Sequence, residues 1–345
     1  MRTRRVVGLG VYAAIVAACG SRTGLLVPTE TDAGHADSSV PHDARPPEVG
    51  VDVQEEPDVV EEDALPPIDV IVTPPPNPCP DAGSTLVYVI TSQNVLLSFY
   101  PPTAAFTTIG SIVCPDTTGD SPFSMAVDHT GIAYVAFQSG NVFRVSTANA
   151  ACVATKRNPT TAGVFDSQYG MGFSANVGAD GGFANDGGDA GDNVETLYLA
   201  GNPGGLDNGF EPIVLGSMST TTFLSSTIGT VTPSIYGAEL TGTGSGELFA
   251  FYVVDPNAGG AAIGELDRTT AQLVAMNPLP GVDIAGGWAF AFWGGNFYTF
   301  TAPGGPGSST LVQRFDPSDG TVSMITTINN LTVVGAGVST CAPQQ

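Results

Sequence analysis

The stretch SMAVDHTGIAYVAFQSGNVFRV, Ser124 to Val145, decides how the chain folds. Ser124 to Asp128 is a short run of small and apolar residues, His129 to Gly131 a turn, and Ile132 to Ala136 a second apolar run. Ser139-Gly140 makes another turn and Val142 to Val145 a third run. Short runs rich in branched and aromatic side chains, divided by Gly, Asn, Asp and Ser, read as antiparallel strands joined by tight turns. A fourth strand follows near Cys152 to Thr155, so the unit is a four-stranded meander.

The unit recurs on both sides of this copy. Second strands open near Leu86, Ile132, Leu197, Leu248 and Phe297, at spacings of 46, 65, 51 and 49 residues. Third strands recur at Leu96 to Phe99, Val142 to Val145, Ile213 to Leu215, Ala262 to Leu266 and Leu311 to Phe315. The longest spacing comes from a Gly- and Asp-rich insert, residues 178–193, between the first and second strands of the third copy. Helical periodicity is absent after residue 26. A fixed period of this length marks a repeat architecture in which no unit buries its faces alone.

First strands are small and glycine-rich: Tyr169-Gly170-Met171-Gly172-Phe173, Ile235-Tyr236-Gly237-Ala238, and Ala285 to Phe290. They suit a crowded central axis, where bulky side chains would clash. Val333 to Val338 reads as a first strand without a blade, whereas the copy at Leu86 lacks one, so the two ends complete a shared blade. Closure of that kind removes free sheet edges. Residues 84–343 thus resemble the broad β-propeller superfamily, although no WD or kelch signature repeats. The resemblance implies an all-β propeller of five four-stranded blades, with six as the alternative, and assigns no activity.

Ahead of residue 81 the chain changes character. Arg2, Arg4 and Arg5 precede the apolar stretch Val6 to Val16, the pattern of an export signal over residues 1–18. That stretch falls short of the roughly 20 residues a spanning helix needs. Val16-Ala17-Ala18-Cys19 resembles the lipobox of bacterial lipoproteins. The resemblance implies cleavage before Cys19, diacylglycerol on its thiol and acylation of the new amino end, an effectively permanent anchor. Gly20 in place of Asp implies outer-membrane sorting, and the flanks of Arg4-Arg5 favour ordinary over twin-arginine export. After the lipidated end, residues 19–26, the segment 27–80 holds 12 prolines and 13 acidic residues against the single base Arg45. Such a composition builds no core and reads as an extended, disordered tether carrying His35 and His42, with the repeat domain filling residues 81–345.

The net charge of -23, with Lys156 the sole lysine, excludes nucleic-acid binding, which depends on basic contacts to phosphate. An exported chain with Cys19 lipidated leaves Cys79, Cys114, Cys152 and Cys341, an even number that predicts two disulfides. Propeller topology favours Cys79 with Cys341 across the shared blade and Cys114 with Cys152 near the outer edges of the first two blades. Zinc is disfavoured, since no Cys-x-x-Cys occurs and only His129 lies in the domain. Asp180, Asp186, Asp189 and Asp192 in the insert offer oxygens to calcium, although no EF-hand register is present.

Candidate chemistry is sparse. His129 would have to serve any Ser-His-Asp set, but as part of Asp128-His129-Thr130-Gly131 it reads as an exposed turn residue. Asp128, Asp166, Glu239 and Asp283 lie near first strands, where a carboxylate pair could hydrolyse a glycoside. Asp128, Asp267 and Asp316 also suit the capping of turns. Trp288, Phe292, Trp293 and Tyr298 could stack on a sugar but read first as packing between blades. No catalytic set is recognisable, so the expected function is a monomeric, lipid-anchored envelope protein displaying a module for protein or glycan binding. A polysaccharide-acting hydrolase or lyase is the alternative.

Overall fold

The computed structural model describes residues 86–159, 163–177, 194–203 and 211–345. Contacts divide the chain into a first unit, Met1–Val70, outside those residues, and a second, Ile71–Gln345, that holds the fold. Its strands form five separate four-stranded antiparallel sheets. The first sheet contains β1 (Val87–Thr91), β2 (Val95–Tyr100) and β3 (Ala105–Ser111). The second is β4 (Pro122–Val127), β5 (Ile132–Phe137), β6 (Val142–Ser146) and β7 (Cys152–Ala154). The third is β8 (Tyr169–Ala175), β9 (Glu195–Gly201), β10 (Val214–Met218) and β11 (Ser225–Thr230). The fourth is β12 (Tyr236–Gly242), β13 (Leu248–Asp255), β14 (Gly259–Leu266) and β15 (Leu273–Pro278). The fifth is β16 (Trp288–Trp293), β17 (Asn296–Thr301), β18 (Thr310–Asp316) and β19 (Thr321–Ile328). The last strand, β20 (Val333–Val338), returns to the first sheet and pairs with β1, Val87 opposite Val338 and Val89 opposite Ala336. The shared blade and the count of five follow the sequence reading.

The strands β20, β4, β8, β12 and β16 contact one another in that order and back to β20, so they form the inner ring. Glycines let them approach. A Cβ on Gly170 would lie 2.1 Å from the carbonyl oxygen of Ala238, and one on Gly335 2.7 Å from the amide nitrogen of Met125. The outer strands β3, β11 and β15 are largely exposed.

Five apolar clusters fill the five inter-blade spaces, which explains why the second strands read as unbroken apolar runs: both faces of each blade are covered. In β1, Val87 and Val89 pack with Ala289, Ala291 and Phe300 of the fifth blade. The alternate residues Tyr88 and Ile90 pack with Met125, Val127 and Val135 of the second. The Phe99 ring meets Tyr298 and Phe300 edge-on, at centroid separations of 5.6 and 5.8 Å.

Cys114, beyond the outer strand β3, is bonded to Cys152 in the outer strand β7, with Cα atoms 5.1 Å apart. This is the pairing expected for the first two blades. Cys341 is also disulfide-bonded; Cys79, its expected partner, lies outside the described residues.

Several element boundaries differ from the sequence reading, two of them for reasons visible in the hydrogen bonding. The inner strand of the fifth blade begins at Trp288, not Ala285. Asp283 Oδ1 accepts the Ala285 amide at 3.0 Å and Gly286 takes φ 80, turning the chain before the strand starts. The third strand of the third blade runs Val214–Met218, past Leu215, because its pairing with β11 continues to Met218 opposite Ser225.

Candidate functional site

The inner strands share one direction around the ring, so their starts gather at one mouth and their ends at the other. At the mouth where they begin lies a pocket of about 200 Å³. Pro122 and Phe123 open β4, Gln168 precedes β8, Gly286, Gly287 and Trp288 lead into β16, and Thr332 and Val334 open β20. Ser92, Gln138 and Pro306 reach in from the turns after β1, β5 and β17, and Glu239 comes from within β12. All five blades contribute to the wall.

Glu239 is 4% exposed. A register shift between Tyr236 and Glu239 in the pairing of β12 with β13 sets where its side chain falls. Ser124 Oγ donates to Glu239 Oε2 at 2.7 Å, and the Met171 amide donates to Ser124 Oγ at 3.0 Å, so three neighbouring inner strands are linked by one buried polar chain. Burial pushes the Glu239 carboxyl well above the usual carboxylate range, opposed by the bonds from Ser124 and Met171. The indole Nε1 of Trp288 is buried without a hydrogen-bond partner.

The other acids near the first strands do not join Glu239 at this pocket, where it is the sole carboxyl among the described residues. Asp128 is at the far end of β4, its Oδ1 accepting the amides of Thr130 and Ile132, each at 2.9 Å, and the Thr130 hydroxyl at 2.7 Å. Asp166 and Asp283 are exposed. Asp267 caps its turn by accepting from Thr269 and Thr270, and the Thr269 hydroxyl leads in holding its carboxyl down at about 2. Asp316 is capped likewise by Ser318, which lowers its pKa. Among the described residues a second carboxyl does not join Glu239 at the mouth to make the pair that glycoside hydrolysis uses.

The aromatic group divides. Phe292 stacks on Phe249 and meets Phe297 edge-on, and Tyr298 packs on Phe99, so both lie between blades as expected. Trp293 meets the Tyr100 ring edge-on at 6.3 Å. Trp288 does both: it packs against the cluster between the fourth and fifth blades, as expected, and lines the pocket.

At the opposite mouth the structure corrects the reading of His129 as an exposed turn residue. It is half-buried against Glu195, which sequence reasoning missed: Glu195 Oε1 accepts the His129 amide at 2.8 Å and lies 3.0 Å from its Nδ1. Thr340 donates to Glu195 Oε2 at 2.7 Å, and Cys341 Sγ lies 3.7 Å from the His129 carbonyl oxygen. These contacts tie the chain's last residues to the second and third blades. The hydrogen bond that the His129 ring donates to Glu195 raises its pKa, against desolvation, with the charges of Glu195 and Asp128 adding to it. A raised folded-state value means the interaction contributes fully below the imidazole's ordinary pKa and fades as pH rises through the raised one. His129→Gln is expected to lower stability by roughly 1.5–3 kcal/mol at pH 6, with a smaller difference at pH 9. Urea melts at the two pH values measure it, and an equal loss at both would contradict the pairing.

Among the described residues no group of three or more His, Cys, Asp or Glu is placed to hold a metal. Asp180, Asp186, Asp189 and Asp192, the candidate calcium ligands, lie outside the described residues, as does Cys19.

Fold and site together define a five-bladed β-propeller with a small, partly apolar pocket at one mouth. The sequence matches no protein-family model and no curated protein. Among solved structures, the chain is similar to one in the crystal structure of the mitotic checkpoint complex at 11% identity, covering 83% of this chain and 76% of that one, TM-score 0.32. It is similar to the Dos1 propeller at 11% identity, covering 72% of this chain and 55% of that one, TM-score 0.35. Likenesses this distant assign no function.

Proposed function

We propose that this chain is a lipid-anchored protein of the cell envelope, sorted to the outer membrane, whose propeller is a non-catalytic module for binding a protein or glycan. The observation that carries the binding reading is the mouth pocket with walls from all five blades. A rigid ring presents such a site without the entropic cost of ordering loops on binding. Trp288 offers the large amphipathic surface that dominates recognition energetics. Among the described residues Glu239 alone supplies a carboxyl there, which suits holding a ligand better than hydrolysing one. The anchor rests on the lipobox pattern at Val16 to Cys19, and the acidic, proline-rich segment after it gives the ring reach from the membrane.

The test is an array of envelope polysaccharides and proteins probed with the full chain. Trp288→Ala is expected to weaken the captured ligand's binding at least about 30-fold, the effect of losing a central aromatic anchor, read below the variant's own melting midpoint because Trp288 also packs against the cluster between the fourth and fifth blades. Turnover of any arrayed polysaccharide would overturn the non-catalytic reading. In the same cells Cys19→Ser is expected to move the protein from the membrane to the soluble fraction; retention in the membrane would overturn the anchor.

A further inference from the structure

Two groups at the mouth have unmet bonding capacity, and they are chemically opposite. Among the described residues Glu239 is buried with the neutral donors Ser124 and Met171 beside it, and no basic side chain lines the pocket. A buried carboxyl without a cation is costly, and groups of that kind concentrate where a ligand completes them. Trp288 lines the same pocket with its indole N–H buried and lacking an acceptor, a second unmet cost. A molecule that satisfies both carries a cationic donor and an oxygen acceptor a short distance apart.

The remaining features narrow the class. Phe123 and Trp288 provide aromatic surface, which attracts a cation and also stacks on the C–H face of a sugar. Gln138 and Gln168 add amides able to bond hydroxyls. A volume of about 200 Å³ is smaller than a drug-sized cleft and suits one small residue. The net charge of -23 concentrates cations around the molecule.

We propose that the mouth pocket is a site for an amino sugar residue bearing a free primary ammonium, with the ammonium set against Glu239 and a hydroxyl oxygen accepting from Trp288. This rests on the mouth being the binding site and names the class of group it holds. Burial strengthens the Glu239 carboxyl's hold on its proton and an ammonium set against it favours the carboxylate, so seating the ammonium there is coupled to net proton release. The amine keeps its own proton, so the complex is a buried ion pair made on binding.

The experiment is calorimetry of the full chain at pH 7 with glucosamine, N-acetylglucosamine, glucose and hexylamine, each in two buffers of different ionisation heat. Glucosamine is expected to bind at least about tenfold more tightly than the other three, a difference of about 1.4 kcal/mol, with net proton release on binding. Glu239→Gln should erase both the preference and the proton release. The proton count is read on the unsubstituted chain, so the test stands even if that variant does not fold. Neutral sugars binding as tightly as glucosamine without proton release would overturn the ammonium assignment and leave the pocket as the binding site. Hexylamine matching glucosamine would overturn the sugar and leave the ammonium. If none of the four gives heat or changes Trp288 fluorescence, while the array of envelope ligands still yields a partner sensitive to Trp288→Ala, only the amino sugar proposal fails; if that partner is missing too, the mouth falls with it.

Discussion

Gly170→Ala is expected to destabilise the propeller by about 3 kcal/mol or more and to lower its melting midpoint by roughly 6–12 °C. The added methyl would lie 2.1 Å from the Ala238 carbonyl oxygen and 2.8 Å from the Glu239 Cα, both backbone atoms of the adjacent inner strand β12. Side chains at a clash can rotate, but backbone moves only if β8 and β12 separate, and Gly172 repeats the contact against Leu240 two residues on. The matched control is Gly229→Ala in the outer strand β11, where the nearest atom, Ala271 Cβ, is 3.5 Å from the new methyl. Ordinary van der Waals contact and a less flexible unfolded chain leave that variant within about 1 kcal/mol of the parent. Thermal melts followed by circular dichroism compare the two, and equal midpoints would mean that close approach of the inner strands does not govern stability.

The same contrast shows why the fold was legible. Unbroken apolar runs such as Ile132 to Phe137, bounded by turns at His129 to Gly131 and Ser139-Gly140, specify strands locally, and their recurrence specifies the ring. The glycines of Tyr169 to Phe173 mark the axis because close backbone approach tolerates no Cβ. The site was less legible. Of Asp128, Asp166, Glu239 and Asp283, only Glu239 enters the mouth, and that depends on the register shift after Tyr236, which alternation of apolar and polar residues does not encode. Trp288 reaches the pocket since Asp283 and Gly286 delay the strand by one turn. Glu195 escaped because it follows the insert directly and its partner His129 lies 66 residues earlier, a pairing set by the approach of two blades. Residue type marked candidates, while three-dimensional register chose among them.

A chain ending at Asn330 should have no cooperative unfolding transition at all. The cut removes β20, the inner strand that the end of the chain supplies to the blade begun at Val87. In the intact protein Val333, Ala336 and Val338 are 0%, 1% and 5% exposed, and burying them contributes roughly 4–7 kcal/mol. That alone matches the lower half of the stability of a typical domain, about 5–15 kcal/mol. The loss extends further, because β1 is left with an unpaired edge while β4 and β16 lose the neighbour between them. Gly335 and Gly337 lie against the backbones of Ser124, Met125, Ala126 and Val127, so no other segment with side chains at those positions can substitute. Deleting only Gln344 and Gln345 keeps β20 and its pairing, and that control should melt close to the parent. Denaturant titration followed by Trp fluorescence reads the outcome, and a parental transition in the chain ending at Asn330 would show that four blades and a three-stranded remnant hold together without closure. Adding a peptide of residues 331–345 to the truncated chain separates the causes: if closure is what was lost, the transition returns with peptide concentration, since a strand that binds only the folded ring stabilises it by mass action.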